Sequence, residues 1–192
     1  MIHHKQREAF DDTSRFKYLL TGRRGGKTVL LREDICRHVP IMPPKSRIYY
    51  VGPTNSDAYD LIWDDLEERF DNLGWHYRSQ VSRRRFAFSN KRYVYVIGAD
   101  KLRIRGKKVY RVYLDELREW EKPLSDAWNK DIRPSLADLQ GGAVVASLKG
   151  LLGQAAAEGV GANPLCLGVL KVLLLSAVDP PELIRRTSGP SG

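Results

Sequence analysis

The sequence predicts an α/β domain built on a mainly parallel sheet, and three observations lead there. Short β-rich runs alternate with stretches of helical spacing through the first 150 residues. One such run, residues 17–20, passes through the glycine-rich segment TGRRGGKT (residues 21–28) into the helically spaced Val29-Leu30-Leu31. Another, residues 109–114, is mostly apolar and closes on Asp115-Glu116.

The composition sets the outer bounds. The chain has 192 residues, one domain by size, with 42% hydrophobic and 29% charged residues. There are 32 Lys+Arg against 23 Asp+Glu, a net charge of +9, which favours a polyanionic partner, nucleic acid before a membrane surface. Cys36 and Cys166 lie far apart without metal-ligand spacing, so a reducing, cytoplasmic setting is expected. The opening MIHHKQREAF lacks the apolar core of a signal peptide. The longest apolar stretch, residues 165–178, is interrupted by Lys171 and is too short to span a bilayer, so no membrane association is expected.

Taken in order, residues 6–10 predict a short helix ahead of the first strand. Gln6 there suits adenine, because its amide both donates and accepts, but spacing alone favours an exposed helix residue. In the loop, Gly25 and Gly26 allow a tight turn whose N–H groups approach phosphate oxygens. Lys27 supplies a charge for the β- and γ-phosphates, and Thr28 a hydroxyl for Mg²⁺. The pattern G-x-x-x-x-G-K-[ST] asks for glycine where Thr21 stands, and Gly22 comes one place late. The loop is thus a variant, and a basic glycine-rich surface turn is the alternative.

The first long helix should run from Lys27 to His38, stopped by Pro40 and Pro43-Pro44. Residues 47–52 predict a second strand. A helix capped by Ser56 follows, with Tyr59, Ile62, Trp63, Leu66 and Phe70 as its apolar stripe. Residues 75–81, 84–88 and 92–97 read as short strands separated by the turn signals Ser82-Arg83 and Ser89-Asn90. Arg83-Arg84-Arg85 fits either a DNA contact or a solvated hairpin edge. A denser basic loop, with Lys101, Arg103, Arg105, Lys107 and Lys108, precedes the apolar run 109–114.

That run with Asp115-Glu116 has the form of a Walker B strand. Asp115 is suited to hold Mg²⁺ opposite Thr28, and Glu116 to act as general base on the attacking water. Each motif is weak alone; in this order, with a strand and helix between, they predict a nucleotide-hydrolysing site. Residues 123–139 have near-helical apolar spacing around Pro134, giving two short helices or one kinked helix. Gly141-Gly142 turns into a strand ending at Ser147, either a γ-phosphate sensor or a plain strand-end serine. The expected fold is a three-layer P-loop NTPase of the ASCE type with a β-hairpin insertion.

After Gly150 the composition changes. Every aromatic residue lies at or before Trp128, and residues 151–192 carry three basic and three acidic side chains, leaving the whole +9 on residues 1–150. The expected division is an incomplete P-loop ATPase domain over 1–150 and an atypical Gly/Ala/Leu-rich segment over 151–192, ending in a disordered tail. Within it, residues 165–178 read as a candidate hydrophobic helix.

Together these segments resemble the large terminase subunits of tailed phages. The resemblance covers about residues 2–150 and rests on HHKQREAF, TGRRGGKT, YYVGPTNSDAYDLIWDDL, GADKLRIRG before VYRVYLDE, and WNKDIRPSLADLQGGAVVAS. It implies an ATPase that drives double-stranded DNA into a procapsid, as a homo-oligomeric ring on a portal protein, with a small terminase subunit, in the host cytoplasm. By that resemblance Gln6 reads adenine, and Arg23 and Arg24 are the arginines of the variant loop. Arg105 matches the arginine that in some relatives reaches a neighbouring subunit's site, a DNA-contact or solvated arginine being the alternative, and Ser147 stands at the coupling motif, here Ser147-Leu148-Lys149-Gly150 rather than a Thr-Pro form. ATP and Mg²⁺ are the implied cofactors. The family's RNase H-like nuclease domain has no counterpart in these residues, so nuclease activity is not expected. A helicase-like DNA-dependent ATPase and a non-catalytic assembly module are the competing readings.

Overall fold

The computed structural model describes residues 4–21, 25–121, 123–148 and 170–175. Gly22, Arg23 and Arg24 lie outside them, and the side chains of Gln6, Thr21 and Ser147 are likewise not described. Eight strands form one sheet in the order β3-β4-β5-β2-β6-β7-β1-β8. They are β1 (Phe16–Thr21), β2 (Arg47–Gly52), β3 (Arg78–Gln80), β4 (Arg85–Phe88), β5 (Arg92–Gly98), β6 (Val109–Leu114), β7 (Gly142–Leu148) and β8 (Leu170–Leu175). All pairings are parallel except β3–β4 and β4–β5, the expected hairpin insertion.

The sheet is covered on both faces, as parallel strands with apolar side chains on both sides require. On one face lie α1 (His4–Asp11), α2 (Lys27–His38) and α3 (Asn55–Asn72). Their core residues include Leu31, Ile35, Ile62, Trp63, Leu66 and Phe70, each at most 1% exposed, against Ile48, Tyr50 and Tyr113 of the sheet. Each such side chain stabilises the fold by roughly 1.5–3 kcal/mol relative to exposure. The opposite face is covered by the loop carrying Leu102 and Ile104 and by α4 (Leu124–Ala127) and α5 (Arg133–Ala137). Strand β2 is buried on both sides, because Tyr50 faces the first layer and Tyr49 and Val51 the second.

Two local details differ from expectation, and over residues 123–139 the kinked-helix alternative is the one observed. Helix α3 is capped by Thr54, not Ser56: Thr54 Oγ1 accepts from the Asp57 amide at 3.2 Å and donates to the Asp57 carboxylate at 2.7 Å. Between α4 and α5 the chain does not break but widens into a π turn over Trp128–Ile132. Pro134, which has no N–H to give and crowds the carbonyl four residues back, accounts for the widening. Within residues 165–178, where a candidate helix was expected, Leu170–Leu175 forms strand β8 beside β1; so short a mostly apolar run, broken only by Lys171, fits a strand as well as a helix. Among the described residues no helix is long and apolar enough to cross a membrane.

The topology fixes where chemistry can occur. β7 lies between β1 and β6, with Leu20 opposite Ser147 and Leu114 opposite Val145. The carboxyl ends of β1, β7 and β6 thus run side by side, and these ends carry the glycine loop, Ser147 and Asp115-Glu116.

Candidate functional site

Lys27 is the first residue of α2, and Gly26 before it has φ 70° and ψ 29°. That left-handed conformation suits glycine and lets the chain turn from the loop straight into the helix. The N–H groups of a helix's first turn have no partner within the helix, and together with the helix dipole they make such an end attractive to anions.

Opposite it, Asp115 follows the last residue of β6 and is fully buried. Its amide donates to Val51 O at 2.9 Å, so β2 holds the backbone in place. Asp115 Oδ1 accepts from the Glu116 amide at 2.9 Å, and Oδ2 accepts from the Tyr50 hydroxyl at 3.0 Å. Trp120 Nε1 donates to Asp115 O at 3.0 Å and pins the turn beyond. Burial raises the Asp115 pKa, while Lys27, the Tyr50 hydroxyl and the Glu116 amide counteract it. Burial and the adjoining Asp115 charge push Tyr50 well above its ordinary value, so it remains a neutral donor.

Glu116 has φ 50° and ψ 42°, a left-handed backbone that carries a steric cost for a residue with a Cβ. The turn brings its carboxylate to Lys27: Nζ donates to Glu116 Oε1 at 2.8 Å and stands 3.7 Å from Asp115 Oδ1. One buried ammonium therefore faces two carboxylates.

The donors available to a divalent cation are oxygens: the hydroxyl of half-buried Thr28 and the carboxylate of Asp115. Such a set fits Mg²⁺, which commonly takes one or two protein ligands and completes its shell with phosphate oxygens and water. A cleft of about 450 Å³ opens between α2 and α3, lined by Val29, Arg32, Glu33, Asp65 and Arg69 among others. Its charges pair with one another (Arg69–Glu33 at 2.9 Å, Arg32–Glu33 at 3.0 Å), and it is separate from the Lys27–Asp115–Glu116 contact.

Of the residues read from sequence, the structure brings together Lys27, Asp115 and Glu116. Arg105 lies elsewhere, exposed in a loop on the sheet face opposite α2. That loop is fixed by Leu102, Ile104 and the Ser135 hydroxyl, which donates to Ile104 O at 2.9 Å. Tyr50 and Trp120 escaped the sequence reading. Tyr50 was legible only as a strand residue, since nothing local says that β2 pairs with β6 and sets Tyr50 opposite Tyr113.

Solved structures share this architecture. The large terminase ATPase domain of Thermus phage P74-26 superposes with a TM-score of 0.63 at 22% identity, over 76% of this chain and 64% of that one. The large terminase of a thermophilic bacteriophage, in complex with ATP-γ-S, gives 0.65 at 13% identity, over 92% and 44%. The HK97 bacteriophage large terminase gives 0.67 at 12% identity, over 95% and 40%. The fold is that of a terminase ATPase domain. The chain spans somewhat under two-thirds of the P74-26 domain and less than half of the other two chains. No protein-family model matches the sequence, and no curated protein matches it.

Proposed function

We propose that this chain is the ATPase part of a phage large terminase, hydrolysing ATP to move double-stranded DNA into a procapsid. The observation that carries this reading is the meeting of Lys27, Asp115 and Glu116 at the carboxyl ends of the strands, in a fold shared with terminase ATPase domains. The thermophilic phage terminase complex with ATP-γ-S supports nucleotide as the ligand class.

Phosphoryl transfer to water needs positioning and charge neutralisation more than covalent help. Lys27 binds the β- and γ-phosphate oxygens, with backbone N–H groups of the loop. Mg²⁺, held by Thr28 and Asp115, neutralises charge on the phosphates when bound. Glu116 orients water and accepts its proton. Tyr50 and the Glu116 amide keep both Asp115 oxygens directed. Gln6, Thr21, Gly22, Arg23, Arg24, Gly25 and Gly26 complete the nucleotide's surroundings, Arg105 serves a neighbouring subunit, and Ser147 links phosphate state to motion.

The partners of this reading are double-stranded DNA, further copies in a ring on a portal protein, and a small terminase subunit, all in the host cytoplasm. The exposed Lys101, Arg103, Lys107 and Lys108 support a polyanionic partner. The test is phosphate release from ATP, with and without double-stranded DNA, by wild type and Lys27→Ala. The expected result is DNA-stimulated release that the substitution abolishes. Release that persists in Lys27→Ala would overturn the site assignment, and none from wild type would overturn the activity.

A further inference from the structure

Two polar cross-links, not one, join α2 to β6. The first is the Lys27 contact with Asp115 and Glu116. The second lies deeper in the core, where Asp34 of α2 meets the same face of β6. Arg111 Nε donates to Asp34 Oδ2 at 3.1 Å, and the Tyr113 hydroxyl donates to the same oxygen at 2.8 Å. His38 Nδ1 donates to the Asp34 carbonyl at 2.7 Å and stands 3.4 Å from the Tyr113 hydroxyl. Lys17 of β1 lies close by and donates to Ala9 O of α1 at 3.1 Å. A cavity of about 10 Å³, lined by Ala9, Lys17, Leu30, Asp34 and Val144 among others, adjoins the group. Asp34 Oδ1 is buried without a hydrogen-bond partner among the described residues.

The spacing of the two links is regular. Arg111, Tyr113 and Asp115 alternate along β6 and so share one face. Asp34 comes seven residues after Lys27, two helical turns, and so shares Lys27's side of α2. Seven residues of helix rise about 10 Å, and the four from Arg111 to Asp115 about 13 Å, so the links bracket one stretch of the α2–β6 interface. Asp34, Arg111, Tyr113 and Lys17 are all at most 8% exposed. Such buried charge is often no more stabilising than well-packed apolar side chains of similar volume, so stability alone does not account for it.

We propose that Asp34 is a positioning residue: through Arg111 and Tyr113 it fixes the height and rotation of β6 against α2. It thereby sets where Asp115 and Glu116 stand relative to Lys27 and Thr28. The inference deepens the ATPase reading and rests on it only for the catalytic consequence. A hydrophobic side chain at position 34 would hold the two elements together but would not fix the register of α2 against β6 and the strands paired with it. A carboxylate with two directed donors from one strand does.

The experiment compares wild type with Tyr113→Phe, Asp34→Asn and the apolar double replacement Asp34→Leu with Arg111→Met. Melting temperature reports packing. Acetylation of Lys27 by acetic anhydride, followed by mass spectrometry, reports the Lys27–Glu116 contact without any need for turnover. ATPase kinetics report catalysis. In the double variant the expected result is a melting temperature at or above wild type, Lys27 acetylation raised several-fold, and kcat lowered about 10²-fold with KM little changed. A stable double variant with wild-type acetylation and turnover would overturn the proposal. If the double variant does not fold, Tyr113→Phe, which removes one hydroxyl, decides by the same two readouts. Raised acetylation in variants of a wild type that releases no phosphate would sink the ATPase reading while upholding the positioning role. Unchanged acetylation in every folded variant would sink the positioning role whatever the turnover.

Discussion

Lys27 Nζ donates to Glu116 Oε1 at 2.8 Å, so the first residue of α2 touches the second residue beyond β6 across 89 positions of sequence. The contact joins the group proposed to bind phosphate with the group proposed to activate water. Lys27→Ala should therefore act twice, removing a proposed phosphate ligand and leaving buried Asp115 without the ammonium 3.7 Å from its carboxylate. Losing a charge-assisted contact costs about 1.5–3 kcal/mol, roughly tenfold to a hundredfold in affinity. Titration with a fluorescent ATP analogue checks this; affinity within twofold of wild type would count against phosphate binding at Lys27.

Glu116 combines its proposed chemical role with an unfavourable backbone, and two substitutions separate them. Glu116→Gln keeps the shape but cannot accept a proton, so nucleotide binding should persist while turnover falls about 10²–10⁴-fold. Glu116→Gly should also lose turnover, yet relieve the left-handed strain, worth about 1 kcal/mol. Its melting temperature should match or exceed wild type. A clear drop would mean that the Lys27 contact outweighs the backbone cost.

Tyr50→Phe leaves Asp115 Oδ2 without its hydroxyl donor in a fully buried position. An unsatisfied buried acceptor costs about 1–3 kcal/mol, more where it is charged. Denaturant midpoints of the two proteins at neutral pH measure it. The substitution also removes a contact that lowers the Asp115 pKa, so a larger fraction of Asp115 should be protonated as pH falls.

His38 gives the fold a pH dependence of definite sign. Burial lowers its pKa below the ordinary 6.5, against the opposing influence of Asp34, while Arg111 and Lys17 reinforce the lowering. Tyr113 and Tyr110 of β6 face the same ring. As pH falls through 6.5 the unfolded chain takes the proton before the folded one, so stability drops, by at most about 1.4 kcal/mol per pH unit. Above that range His38 contributes no slope. Asp115, raised by burial, acts in the opposite sense at lower pH: the folded state takes its proton first and gains stability. Urea midpoints between about pH 7.5 and pH 5 should fall less in His38→Gln than in wild type. Parallel slopes would remove His38 as the source.

What the sequence disclosed was local. The bounds of α2 and β2, and the pairing of a Lys-Thr loop with Asp115-Glu116, were readable because each signal lies within a few adjacent residues. The cap at Thr54 was readable too, since Thr54-x-x-Asp57 is a capping pattern, but Ser56 offered a competing hydroxyl. Leu170–Leu175 was ambiguous in principle, because a short run that is apolar except for Lys171 has no period to distinguish strand from helix. Tyr50 and the Asp34–Arg111–Tyr113 cluster were not readable. Their partners lie 65 to 79 positions away, and strand register, absent from one sequence, decides which residues meet.

Arg105 tests whether the proposed site is completed by a second copy. It is exposed and makes no hydrogen bond or ion pair among the described residues, although its loop is held before it by the Ser135 hydroxyl on Ile104 O and after it by the Arg47 amide on Lys108 O. Ile104, fully buried, and the Gly106 turn at φ +73° direct the chain outward there. A loop anchored by these contacts, with a guanidinium that has no partner among the described residues, suits a role toward something outside the subunit, either a neighbour's γ-phosphate or DNA. An arginine supplied in trans is worth about 10³–10⁵ in rate. The two roles separate on mixing. Arg105→Ala and Glu116→Gln subunits, each inactive alone, should recover part of the ATPase activity together if the arginine crosses an interface, because some neighbouring pairs then contain both groups intact. No recovery, with DNA affinity and its salt dependence reduced in Arg105→Ala, would assign the side chain to the DNA phosphates instead.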